Sequence, residues 1–335
     1  MRSAVAITAG LVGGHLLAGP AGVPVAVAGA VCSVNGDHSG PLRERAGRFL
    51  AILLGGSAGL LLGSTAPGPG WGQVACMVAA GLLAGLVGSG RAAHQLFGLK
   101  FMVLTAIGMG LGGTLPAGRS VALYALGCLP MALLIAIATV RAQRTVRAQR
   151  AQGTHGARRA HPLPRRPGRP APSWPPRFDP LRDRRRRSAA VRLALCVGLA
   201  AALAQSLSPE HAFWLPLTAA LAFRPADPSV ARRVTDRILG TVLGVLAAAA
   251  LSQLLAGQWV LLAVAVLVGA AFPGATDLSY ALHTALASVI VLVLAVPGPP
   301  SDGATIAARL VHTLLACAIA LAVGLPWRTP RHRLT

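Results

Sequence analysis

VALYALGCLPMALLIAIATV, Val121 to Val140, is a run of twenty residues without a charge, and RAQRTVRAQR, Arg141 to Arg150, follows it at once. At the rise of an α-helix such a run covers about 30 Å, the depth of a bilayer's hydrocarbon. The basic run behind it is what a chain leaves in water as it exits lipid. No period-2 alternation of a barrel wall is present, so the run reads as a helix.

Five more apolar segments precede it, roughly Ser3–Ala18, Ala21–Val34, Gly47–Gly63, Gln73–Val87 and Ala93–Gly112, separated by Gly, Pro or charge. Six follow, roughly Val191–Leu207, Ala212–Phe223, Ile238–Leu255, Trp259–Phe272, Ala281–Val296 and Ala307–Leu325. Several fall short of the roughly 20 residues that span a bilayer, and extension into flanking polar residues supplies the missing turns. Pro24 and Pro216 interrupt the second and eighth segments, each readable as a re-entrant or broken helix.

Composition agrees. Of 335 residues, 54% are hydrophobic and 12% charged, against about a quarter charged in soluble chains. Mean hydropathy is +0.62. A disordered chain is excluded and an ordinary soluble domain is disfavoured. The net charge of +22 would suit a nucleic-acid binder, but sixteen of the 31 basic residues fall between Arg141 and Arg192 and most others flank apolar runs. That segregation points to the lipid bilayer as partner and away from nucleic acid.

Cys32, Cys76, Cys128, Cys196 and Cys317 stand singly in apolar runs, with no C-x-x-C, so neither a disulfide framework nor a metal site is supported. The N-terminal run imitates a signal peptide, but it has a counterpart later in the chain and reads as a retained helix. No phosphate-binding loop, H-E-x-x-H, G-x-S-x-G or dinucleotide fingerprint occurs in the right context. Neither a cofactor nor catalytic residues are therefore expected, and an enzyme is disfavoured.

The Pro- and Arg-rich stretch Arg141–Ser188 lacks the apolar residues of a core and reads as disordered or extended, its first residues to Gln152 prolonging the sixth helix. The expected architecture is all-α and polytopic, with about twelve transmembrane helices. A six-helix repeat over 1–140 and another over 191–327 are joined by a basic cytoplasmic linker over 141–190, with a basic tail over 328–335. The positive-inside rule then places both termini in the cytoplasm, with Arg2, Arg43–Arg48, Arg91, Arg224–Arg237 and Arg328–Arg333. The outer loops hold Arg119 and His211, with Arg309 at their border.

Sliding the chain by 189 positions lays one half on the other without a gap: Arg43 on Arg232, Arg48 on Arg237, Gly55 on Gly244, His94 on His283, Cys128 on Cys317. With six segments per copy the two share one orientation, a parallel repeat about the membrane normal.

The most informative motif begins Phe213-Trp214-Leu215-Pro216-Leu217-Thr218 and continues through Phe223-Arg224-Pro225 and Arg232 to Arg237-Ile238-Leu239-Gly240-Thr241-Val242-Leu243-Gly244. It resembles the fusaric-acid-resistance-like family of bacterial inner-membrane proteins. It is also similar to related aromatic acid exporters and, more distantly, to aluminium-activated malate channels. Their shared pattern is Trp-x-x-Leu-Thr, a polar loop, then Arg-x-x-Gly-Thr-x-x-Gly. The first half keeps a worn copy, Arg48 with Ala51-Ile52 and then Gly55, and no Trp in its second segment. The resemblance implies a multi-pass carrier or channel for organic or aromatic carboxylates in the inner membrane, with a small organic anion as substrate. A homo-oligomer stays open.

An Arg near a helix start, with backbone N–H groups and the positive dipole end beside it, makes an anion site. On that reading Arg237, Gly240, Thr241 and Gly244 line a substrate path, Arg48 and Gly55 supply its pseudo-symmetric counterpart, and Trp214 and Thr218 support it. The competing reading makes Arg43, Arg232, Arg233 and Arg237 lipid-phosphate anchors, with Asp227 or Asp236 as neutralisers. Lys100, inside the fifth segment, is a path candidate or a snorkelling residue. His94 and His283 are candidates for proton coupling or plain interfacial histidines. His15 and His312 read as packing residues, and Asp277 as a solvated loop residue. Trp71, Trp259 and Trp327 stand at segment ends, where an aromatic belt places them. Two other functions remain open: a passive anion channel, and a membrane scaffold whose basic linker binds a partner.

Overall fold

The computed structural model describes residues 2–34, 41–66, 68–88, 92–112, 114–153, 183–207, 212–224, 229–254, 258–295 and 303–325. The described residues are helical with short connections and no strand. In chain order the helices are α1 (Arg2–Val34), α2 (Leu42–Ser64), α3 (Trp71–Gly88), α4 (Ala92–Gly110), α5 (Ala117–Gly153), α6 (Arg184–Leu207), α7 (Trp214–Ala222), α8 (Val230–Leu254), α9 (Gln258–Leu278), α10 (Tyr280–Ala295) and α11 (Gly303–Gly324). Eight of them are long and apolar enough to cross a membrane.

α1 is a hairpin. Its backbone leaves the helical region at Ala18 and Gly19, and Gly19 takes φ 61°, ψ −156°, a conformation open essentially to glycine alone. The two arms lie back to back: a Cβ on Gly14 would meet the carbonyl oxygen of Gly22 at 2.8 Å, and one on Gly10 that of Ala26 at 3.1 Å. Pro20 opens the second arm, where its missing N–H costs nothing. Arg119, at the start of α5, donates to the Leu17 carbonyl at the hairpin tip. The break thus falls at Ala18–Gly19 and not at Pro24, which sits one turn inside the second arm and removes a single hydrogen bond. In the eighth segment the helix is short: α7 has nine residues, about 14 Å, and cannot cross a bilayer alone.

The helices pair in the same way in both halves. α1 packs on α5, α2 on α4 and α3 on α4; correspondingly α6 and α7 pack on α11, α8 on α10 and α9 on α10. Between the halves α3 meets α6 and α4 meets α7, while α9 and α10 meet α1. One apolar core cluster runs through both halves, from Val25 and Ile52 to Phe223 and Ala320.

Close backbone contacts give the helix directions. α2 runs parallel to α4, with Gly55 against Phe97 and Gly59 against Phe101. α3 runs antiparallel to α6, Gly81 meeting Ala194 and Gly85 meeting Ala190. The α6 start, α7 end, α8 start and α11 end converge where the Arg192 guanidinium covers the Phe223 ring at 5.5 Å and Gly324 meets Val230. Arg43, Arg45 and Arg48, Arg184–Arg187, and Arg232 and Arg233 therefore stand at one end of the bundle.

α5 continues to Gly153, as expected of the sixth segment, and α6 already begins at Arg184, so only the helical Arg184–Ser188 departs from the expected disordered stretch. The rest of the linker, residues 154–182, lies outside the described residues, as do Arg91, His211, Asp227, Trp327 and the tail.

Candidate functional site

α8 turns a stripe of Val230, Val234, Arg237, Thr241, Val245 and Ala248 inward, at the three-to-four spacing of a buried helix face. Arg237 is in phase with that stripe, so helical periodicity carries its stem into the protein. Only 4% of it is exposed. Its Nε has no hydrogen-bond partner among the described residues. Asp236 is next in sequence but points elsewhere, and no ion pair joins the two. Asp236 therefore does not neutralise Arg237.

Gly240 and Gly244 let α10 approach α8 in parallel. A Cβ on Gly240 would sit 2.2 Å from the Ala281 carbonyl oxygen, and one on Gly244 2.4 Å from that of Ala285. Thr284 and Ser288 flank these contacts, at 2.7 and 2.8 Å by their Cβ atoms. The hydroxyls of Thr241, Thr284 and Ser288 are buried and have no hydrogen-bond partner among the described residues. Gly55 repeats the contact in the first half, where a Cβ would sit 2.6 Å from the Phe97 carbonyl oxygen.

α11 supplies what the sequence reading passed over. Thr305, Arg309, His312 and Thr313 form a polar stripe at i, i+4, i+7 and i+8, all buried. Arg309 had been set at the border of the outer loops; it lies nearly two turns inside α11 and is 2% exposed. The spacing of those four polar residues along one face was the available signal. Arg309 has no hydrogen-bond partner for Nε or Nη1 among the described residues. Its guanidinium lies over the Trp214 ring, 5.3 Å from the centroid. His312 meets the same ring edge-on at 6.3 Å. Thr218, one turn after Trp214 on α7, is fully buried with an unbonded hydroxyl.

Arg237 acts electrostatically on Arg309, and also on Cys317 two turns further along α11. It therefore lies near that stretch of α11, which packs on α8. The structure thus gathers Arg237, Gly240, Thr241 and Gly244 on α8, Trp214 and Thr218 on α7, and the unanticipated Arg309, Thr284 and Ser288 into one polar zone.

Of the other candidates, His283 lies beside Thr284 within reach of the Arg237 charge. Arg48 is half-buried near the start of α2. Lys100 is 9% exposed in the middle of α4, facing the packed interior and not lipid, and its charge is felt at His283. His283 stacks edge-on against Phe272 at 4.3 Å. His94 is half-buried near the start of α4. Arg233 donates to the Leu221 carbonyl and covers the Tyr280 ring at 4.3 Å, while Tyr280 donates to that same carbonyl at 3.2 Å. Arg43 and Arg232 are exposed at the basic end, where the anchor reading puts them.

Residues 199–323, from within α6 to the end of α11, match the model of the family described as fusaric acid resistance protein-like. That stretch of the chain is similar to the fusaric acid resistance protein-like family. No curated protein and no solved structure matches it. The region matched contains Trp214, Arg237 and Arg309. Together with the helices long and apolar enough to cross a membrane, this match supports a multi-pass membrane protein.

Proposed function

We propose that the chain is a membrane transporter that expels organic carboxylate anions, aromatic ones among them, from the bacterial cytoplasm. The observation that carries this reading is Arg237: a buried side chain in an apolar bundle, without a carboxylate partner among the described residues and one turn before the unbonded Thr241 hydroxyl. Such a charge is costly in a membrane protein unless an anion meets it. A guanidinium fork fits a carboxylate in bidentate geometry.

In this reading the basic end of the bundle faces the cytoplasm and collects anions, both termini lie on that side, and the membrane potential or a proton gradient drives export. The halves, 1–140 and 191–327, are two parallel six-segment repeats flanking the linker over 141–190, with a basic tail over 328–335. The matching helix pairings, the hairpin in α1 beside the α6–α7 pair, and the shared glycine contacts of α2–α4 and α8–α10 support that repeat.

The test is a deletion strain complemented with wild-type or Arg237→Ala protein and exposed to a panel of aromatic and aliphatic acids. Rescue by wild type alone, at equal membrane expression, supports the reading. Equal growth of all strains across the panel overturns it.

A further inference from the structure

Arg237 and Arg309 enter the bundle from opposite ends. Gly324 packs against Val230, so α11 runs antiparallel to α8, and this register sets Cys317 level with Arg237 and Arg309 level with Val245. The two arginine Cα atoms are then offset by about 12 Å along the bundle, and the charge of Arg237 bears on Arg309. Both are more than nine-tenths buried, and both carry N–H donors without a hydrogen-bond partner among the described residues. Neither makes an ion pair there. The Trp214 face covers Arg309 but carries no formal charge.

Two like charges held apart in an apolar interior call for two negative charges, also held apart. A monocarboxylate neutralises one arginine and leaves the other uncompensated. A single spherical ion meets one fork at a time. We infer that Arg237 and Arg309 form one two-pronged site whose preferred ligand is a small dicarboxylate, one carboxylate on each guanidinium. The proposal rests on the transport reading above and adds to it the valence of the substrate. Arg309, which lies outside the motif that drew attention to Arg237, becomes the residue that separates dianions from monoanions.

The test compares matched pairs on the full-length protein purified in detergent: succinate against butyrate, and terephthalate against benzoate, at constant ionic strength. Thermal stabilisation of the protein as a function of ligand concentration gives apparent affinities. Each dianion is expected to bind roughly tenfold or more tightly than its monoanionic partner. Arg309→Gln should bring the two classes level. Arg309→Lys, which keeps a charge but not the fork, should retain a reduced preference. If Arg309→Gln does not fold, the wild-type comparison still decides. Equal affinity for both members of each pair overturns the two-pronged site while leaving Arg237-dependent export intact. No stabilisation by any of the four overturns it as well, and the export reading falls only if the growth panel is also silent.

Discussion

The guanidinium of Arg309 stands over the indole face of Trp214, 5.3 Å from the ring centroid. The arginine comes from α11 and the indole from the first turn of α7, so the contact ties a nine-residue helix to one of spanning length. A desolvated cation–π contact is worth about 2 kcal/mol, and indole gives the strongest version. Trp214→Phe should therefore lower stability by roughly 1 kcal/mol through the weaker face and lost area. Trp214→Leu should cost about 3 kcal/mol, since it removes the aromatic face altogether. Thermal unfolding in detergent measures both, and an equal loss in the two variants would mean that packing alone holds the indole.

Gly19 tests the hairpin. Nothing lies within 4 Å of where its Cβ would be, so a substitution there meets no clash. The cost is purely conformational. Gly19→Ala should destabilise by about 1–3 kcal/mol because its φ of 61° with ψ −156° is closed to alanine. A neutral Gly19→Ala would show that the arms of α1 join in some other conformation.

The α8–α10 contact should respond in the opposite manner, through space and not torsion. Gly240→Ala would drive a methyl to 2.2 Å from the Ala281 carbonyl oxygen, forcing the helices apart. A loss of roughly 1–3 kcal/mol is expected. Gly47→Ala, on a helix position with open space around it, should instead be neutral or gain up to about 1 kcal/mol from helix propensity. The pair, measured side by side, separates crowding from a general intolerance of glycine loss.

Arg237 and Arg48 should not be equivalent. Arg237 is buried without a counter-ion among the described residues, whereas Arg48 is half-buried near the start of α2. Uptake of a labelled aromatic acid into inverted membrane vesicles should fall at least tenfold in Arg237→Gln, the loss of one buried charge-assisted pair. Arg48→Gln should lose no more than about threefold, as a half-buried, partly screened charge does. Equal losses would mean that both halves contribute a path of the same kind.

Much of the helical layout was legible because apolar length and punctuating Gly and Pro report directly on lipid-spanning segments. The turn at Gly19 and the shortness of α7 around Pro216 follow from such local signals. Arg309 was not legible from hydropathy. An arginine six residues into an apolar helix looks the same whether it reaches for the headgroups or faces the core; only the neighbouring polar stripe at Thr305, His312 and Thr313 distinguishes the two. The two readings of Lys100 stay open in the sequence for the same reason, since snorkelling depends on which face of α4 is covered. The pairing of α3 with α6 and of α1 with α9 depends on contacts between distant segments, about which composition says nothing.

The arms of α1 are about fifteen residues each, roughly 23 Å, which is less than the apolar depth of a common bilayer. At the hairpin tip Leu16 and Leu17 are 78% and 57% exposed. Acyl chains beside that tip must shorten or tilt to meet it. The thickness of the surrounding lipid thus acts on the protein as a lateral load at one defined corner, and short-chain lipids would relieve it.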